Sequence, residues 1–143
     1  MKFAKTSAVG LVLVAGIATA QATRTDPNSI ARGATMGAIG GAMKVLGGMA
    51  GGEMAYDAAA AEAAKAALVA AAATIPAVFE PNTTDEASKA KPEVWTNWDD
   101  FAGKAKALSD AATALDISSV ESIGAGLGAI GGACKDCHTV NRI

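Results

Sequence analysis

The residues best suited to chemistry stand together near the C-terminus, in Cys134-Lys135-Asp136-Cys137-His138. On a helix, positions i, i+3 and i+4 share one face. This spacing therefore sets two thiols and one imidazole side by side. Two thiols so placed can add to the two vinyl groups of one porphyrin while the imidazole reaches the iron, and C-x-x-C-H is the attachment signature of a c-type haem. The expectation is one covalent haem c, held by Cys134 and Cys137, with His138 as the proximal axial ligand. Other chemistries match less well. A four-ligand Cys/His zinc site needs more than the 2 cysteines and 1 histidine present. A redox dithiol normally follows a strand in a βαβ unit, and no strand pattern precedes this one. A single disulfide or a chance match are the plainer readings.

The opposite face of such an iron has no histidine left to fill it. Beyond the N-terminal stretch the chain carries Met36, Met43, Met49 and Met54. Met36 and Met43 are seven residues apart, on one face of a helix. A thioether opposite histidine raises the potential of an electron-transfer haem. Methionine is also a common core filler, and spacing alone does not choose between the two roles. No acid–base pair or activated nucleophile is apparent, so no enzyme is expected.

Four helices would position these groups. Asp26-Pro27 reads as an N-cap followed by proline at the first helical position, opening a helix from about Pro27 to Met49. Asp57 caps a second, which runs through Ala58–Ala73, nearly pure alanine, the best helix former, and meets Pro76. Residues 81–91 read as a loop. Pro92 opens a third helix carrying Trp95, Trp98, Phe101, Ala105 and Leu108 at helical spacing. Ser118 and Glu121 form a capping box for the fourth, which runs to the C-terminus. Four helices with short connections favour an antiparallel bundle. The glycines sit awkwardly in this scheme: Gly33, Gly37, Gly40 and Gly41 together cost the first helix roughly 4 kcal/mol relative to alanine. Close approach of another helix, or of a flat cofactor, is the expected compensation.

The chain has 143 residues, 36 of them alanine and 16 glycine, with 51% apolar and 4% aromatic content. Such composition points to helices rather than sheets. Lys2 and Lys5, an apolar run from Ala8 to Ala18 and A-x-A sites ending at Ala22 have the layout of a cleavable signal peptide over residues 1–22, leaving one domain over 23–143. The apolar run is shorter than the ~20 residues of a membrane span, so no span is expected in the mature protein. Loss of the two lysines takes the formal charge from −2 to −4. That balance gives no basic footprint for nucleic acid.

The mature chain resembles the cytochrome c′ family, the class II c-type cytochromes. The resemblance rests on the C-terminal haem motif with Arg142 four residues after His138, on Arg32-Gly33-Ala34-Thr35-Met36, and on Tyr56-Asp57. It rests also on Ile75-Pro76-Ala77-Val78-Phe79, which looks like the end of the family's second helix, and on Pro92-Glu93-Val94-Trp95 with Phe101 beyond. The implied fold is all-α, an antiparallel up-down-up-down four-helix bundle with covalently bound haem, of which that family is itself a standard instance. High-spin members leave the iron five-coordinate under an apolar residue and bind nitric oxide or carbon monoxide. Low-spin members ligate a methionine of the first helix and carry electrons. Met36 stands at that distal position, and the pattern from Met36 to Asp57 is similar to the low-spin members. The resemblance thus implies a periplasmic electron carrier with His138 proximal and Met36 distal, serving redox partner proteins; the alternative is a five-coordinate gas binder. It places Arg32 near a haem propionate and Arg142 on the proximal side of His138. Trp95 and Phe101 would line the haem or simply pack the bundle. It also implies a homodimer paired through the first two helices.

Overall fold

The computed structural model describes residues 23–143; the expected leader lies outside them. Five helices follow in order: α1 Pro27–Ala50, α2 Ala58–Phe79, α3 Glu93–Thr96, α4 Trp98–Ala114 and α5 Val120–Asn141. Among the described residues there is no strand, only an isolated antiparallel bridge between Ala90 and Arg142. The four long helices close a ring in which α1 packs on α2, α2 on α4, α4 on α5 and α5 on α1.

The loops fix the up-down-up-down order. At one end, Tyr56 Oη donates to Ile117 O (2.9 Å) and Lys65 Nζ to Leu115 O (2.7 Å), joining the α1–α2 turn and helix α2 to the α4–α5 turn. At the other, Asp85 of the α2–α3 loop accepts the Thr25 and Asp26 N–H groups at 2.7 and 3.0 Å and the Ser29 hydroxyl at 3.0 Å. There too the Ile143 N–H reaches Lys89 O (2.9 Å) and the Lys91 N–H reaches Asn141 O (2.9 Å). The α1 start, α2 end and α5 end therefore share one end of the bundle.

Both expected aspartate caps form: Asp26 accepts from Ser29 N at 2.7 Å and Asp57 from Ala60 N at 2.8 Å. Three boundaries differ from the sequence reading. The second helix continues through Pro76 to Phe79. An interior proline costs about 3 kcal/mol, but Ile75 and Phe79 are buried beside it, and each such side chain contributes about 1.5–3 kcal/mol. The third helix is broken at Asn97, whose φ −124° and ψ 49° leave Glu93–Thr96 as a separate turn. Val94 on that turn is fully buried, so tertiary packing sets its direction. The last cap is Ser119, accepting from Ser122 N at 3.1 Å, and not Ser118.

The core is small-residue packing around Leu46, Met49, Leu68, Phe101, Ile123 and Ile130. Helix α2 is long and apolar enough to cross a membrane, by length and composition only, with mean hydropathy 1.4. Here it is one wall of the bundle, with Ala61, Ala64, Leu68, Ala72 and Ile75 buried. The close approach of another helix expected at the α1 glycines is not seen at Gly33, Gly37, Gly40 or Gly41. At Gly33 the Arg24 guanidinium lies 2.8 Å from the ideal Cβ position, whereas among the described residues nothing beyond the helix's own neighbouring backbone comes within 4 Å of that position at Gly37, Gly40 or Gly41.

Candidate haem site

Helix α5 carries Cys134, Cys137 and His138 on one stripe, all half-buried. They face a cavity of about 390 Å³ between α5, α1, α2 and α4. That falls in the usual range for a small-molecule or cofactor pocket. Helix α1 contributes Met36, Ile39 and Met43 to its wall, and α2 contributes Ile75 and Phe79. Phe101 and Leu108 come from α4. The four candidate methionines are thus narrowed to two by position. Met36 and Met43 line the cavity, while Met49 is buried in the core and Met54 is exposed beside Gly48.

The electrostatics of the wall are one-sided. Every formally charged residue lining the cavity is cationic: Arg24, Arg32, Lys89, Lys104 and Arg142. Lys104 is paired with Asp100 at 2.5 Å. Burial pushes the thiols of Cys134 and Cys137 above the ordinary cysteine range. Burial, then the charge of Arg142, holds the His138 pKa below the ordinary histidine value. That shift favours the neutral imidazole, the form that offers a lone pair to a metal.

Arg32 is only 4% exposed. Its Nη1 donates to Pro81 O at 3.1 Å and its Nη2 to Thr83 O, with Asp26 Oδ1 3.6 Å from Nη2. The guanidinium lies 5.5 Å from the Phe79 ring centroid and 5.4 Å from that of Trp95. Its Nε is buried and without a partner. Trp95 does not line the cavity. It stands behind Arg32 and donates from Nε1 to Phe79 O at 2.8 Å. Phe101 does line it, 5.0 Å from the Phe79 ring and 5.5 Å from the Trp98 ring. Arg142 borders it from the C-cap of α5, its N–H donating to His138 O at 3.1 Å.

Sequence reasoning missed two groups. One is Asp85, which ties the N-terminal segment to the loop. The other is Asn141, 5% exposed, on the cavity wall one turn beyond Cys137 and His138. A signal for Asn141 existed: it is seven residues after Cys134, on the same face as the haem motif.

The donor set fits a covalent haem. Two thiols and an imidazole share one wall, an apolar slot faces them, and the charged groups around it suit a dianionic cofactor with one unpartnered arginine nitrogen among them. No group of three or more His, Cys, Asp or Glu able to hold a bare metal ion occurs among the described residues.

Comparison with known proteins agrees. The family model for cytochrome c′ matches residues 29–142. A cytochrome c-556 of Agrobacterium tumefaciens is 40% identical over 116 residues, covering 79% of this chain and 92% of that protein. The structure of oxidized cytochrome c556 from R. palustris superposes with TM-score 0.75 at 27% identity, covering 83% of this chain and 98% of the other. The nitric oxide complex of a cytochrome c prime variant from Alcaligenes xylosoxidans superposes with TM-score 0.72 at 26% identity, covering 80% and 93%. The chain belongs to the cytochrome c′ family, a four-helix c-type cytochrome binding one covalent haem c, whose attachment motif Cys134 and Cys137 fit.

Proposed function

We propose that this cytochrome is a periplasmic single-electron carrier whose haem iron is held between His138 and Met36. The observation that carries the reading is the placement of Met36 on α1 and His138 on α5 in the walls of one cavity. The haem, when bound, supplies the one-electron couple. The chain supplies the rest. Cys134 and Cys137 anchor the cofactor so that it does not dissociate. His138 offers a neutral imidazole, and the Met36 sulfur favours the ferrous state while limiting rearrangement between redox states. Phe101 and Ile39 exclude water. The free Nε of Arg32 is a donor for a propionate, and Arg142 lies beside His138 on the proximal side. The exposed small residues Gly37 and Gly41 of α1 and Ala59, Ala63 and Ala70 of α2 suit a homodimer through those helices; sedimentation showing only monomer at high concentration would count against it.

The ferric protein is expected to be low-spin with a methionine–iron charge-transfer band that Met36→Ala abolishes. A band that survives the substitution removes Met36 from the iron. A second reading, an open distal site for nitric oxide or carbon monoxide, is favoured by the likeness to the nitric oxide complex and by Gly33 and Gly40 in the cavity wall. It predicts a high-spin ferric spectrum and ready carbon monoxide binding by the ferrous protein.

A further inference from the structure

The buried polar atoms around the cavity include one acceptor that the reading above does not use. Asn141 is 5% exposed, and its Oδ1 is buried without a partner. Its Nδ2 donates to Cys137 O at 3.1 Å and approaches Cys137 Sγ at 3.7 Å. This fixes the orientation of the amide. The flipped amide would set Oδ1 against the Cys137 carbonyl, two acceptors facing each other. The backbone is equally constrained. Asn141 O accepts from Lys91 N at 2.9 Å, and the two residues after it are pinned by Arg142 N to His138 O at 3.1 Å and Ile143 N to Lys89 O at 2.9 Å.

Helical side chains lean toward the N-terminus, so the side chain at 141 covers the turn carrying Cys137 and His138. A metal-bound histidine almost always donates its second ring N–H to an acceptor that fixes its orientation and raises its basicity. A buried acceptor without a partner carries an uncompensated loss of hydration. One unsatisfied acceptor and one ring N–H in need of a partner thus lie one helical turn apart on the same stripe.

We propose that Asn141 is a positioning residue for the proximal ligand: Nδ2 braces Cys137, and Oδ1 accepts the ring N–H of His138 when that histidine holds iron. The inference rests on His138 being the axial ligand. Acceptance of that proton makes the ring a stronger donor and favours ferric iron. Removing the acceptor therefore raises the reduction potential and frees the ring N–H to exchange.

The test uses the purified holoprotein in three variants: Asn141→Leu, Asn141→Asp and, as a charge control, Val140→Asp on the exposed side of the same turn. The readouts are the hydrogen-exchange rate of the His138 ring N–H, by NMR of the diamagnetic ferrous protein or its carbon monoxide adduct, and the reduction potential. Asn141→Leu is expected to speed exchange and to shift the ferrous/ferric ratio toward ferrous by about tenfold, equivalent to 59 mV for one electron. Asn141→Asp keeps the acceptor, so it keeps exchange slow and lowers the potential further than Val140→Asp does. Opposite shifts in the two Asn141 variants cannot come from a general loosening of the helix end. Exchange and potential unchanged in Asn141→Leu, or equal potentials in the two aspartate variants, overturn the proposal. Failure of the ligand reading itself is separable, since His138→Ala would then leave the haem spectrum unchanged.

Discussion

Replacing Arg32 by methionine would remove the charge from the most heavily used buried side chain at the α2–α3 end of the bundle. Methionine keeps most of the apolar stem but loses the guanidinium beside the Phe79 and Trp95 rings, and it donates nothing. Two charge-assisted bonds, to Pro81 O and Thr83 O, are lost at about 1.5–3 kcal/mol each. The cation–π contacts add about 1 kcal/mol. Water reaching the freed loop carbonyls recovers part of this, leaving a net loss of roughly 3 kcal/mol on the same scale. For a domain of this size that lowers Tm by roughly 10 °C. The assay is denaturant unfolding of the holoprotein. Arg32→Lys should recover less than half, because an ammonium cannot span both carbonyls as a planar fork does. A change below about 0.5 kcal/mol, the size expected of ordinary surface substitutions, would refute the account of Arg32 as the clamp on the loop.

Three further outcomes follow from other parts of the molecule. Hydrogen bonds, first that from the Asp26 N–H, hold the Asp85 carboxyl below the ordinary aspartate range. Its stabilisation is therefore present above the unfolded pKa and is lost as pH falls through the lower folded one. Asp85→Asn should destabilise at neutral pH and flatten the acid limb of a stability–pH profile; an unchanged acid limb counts against it. Gly103→Ala and Gly128→Ala meet open space and should each stabilise by about 0.5–1 kcal/mol. Gly126→Ala meets Leu115 Cδ1, and overpacking of about 1–3 kcal/mol should cancel the helix gain. Equal midpoints for all three in urea would contradict this. Cys134→Ala/Cys137→Ala should leave no haem on the polypeptide in a denaturing gel, and retained haem stain would refute covalent attachment through these thiols.

The haem motif was legible because its chemistry is local: five consecutive residues specify the attachment, and the helix period supplies the shared face. The aspartate caps were legible for the same reason. The Asn97 break was not: α3 begins after Pro92 as its local signal says, but burial of Val94 sets the direction of that turn. The reach of α2 to Phe79 was legible only through the family resemblance, because burial of Ile75 and Phe79 overrides the local signal of Pro76. Arg32 was visible as part of a motif, yet its partners are the carbonyls of residues 81 and 83, some fifty positions away. Trp95 shared a helical period with Phe101, but the break turns it onto Arg32 and out of the cavity wall. No periodicity in the chain carries such long-range pairings.

The central claim is that the iron sits between His138 and Met36. Its most direct measurement is the absorption spectrum of the ferric holoprotein beside that of Met36→Ala. The account predicts a low-spin spectrum with a methionine–iron charge-transfer band, lost in the variant together with a fall in potential. A high-spin spectrum in the unaltered protein, or a low-spin one indifferent to Met36→Ala, would contradict it.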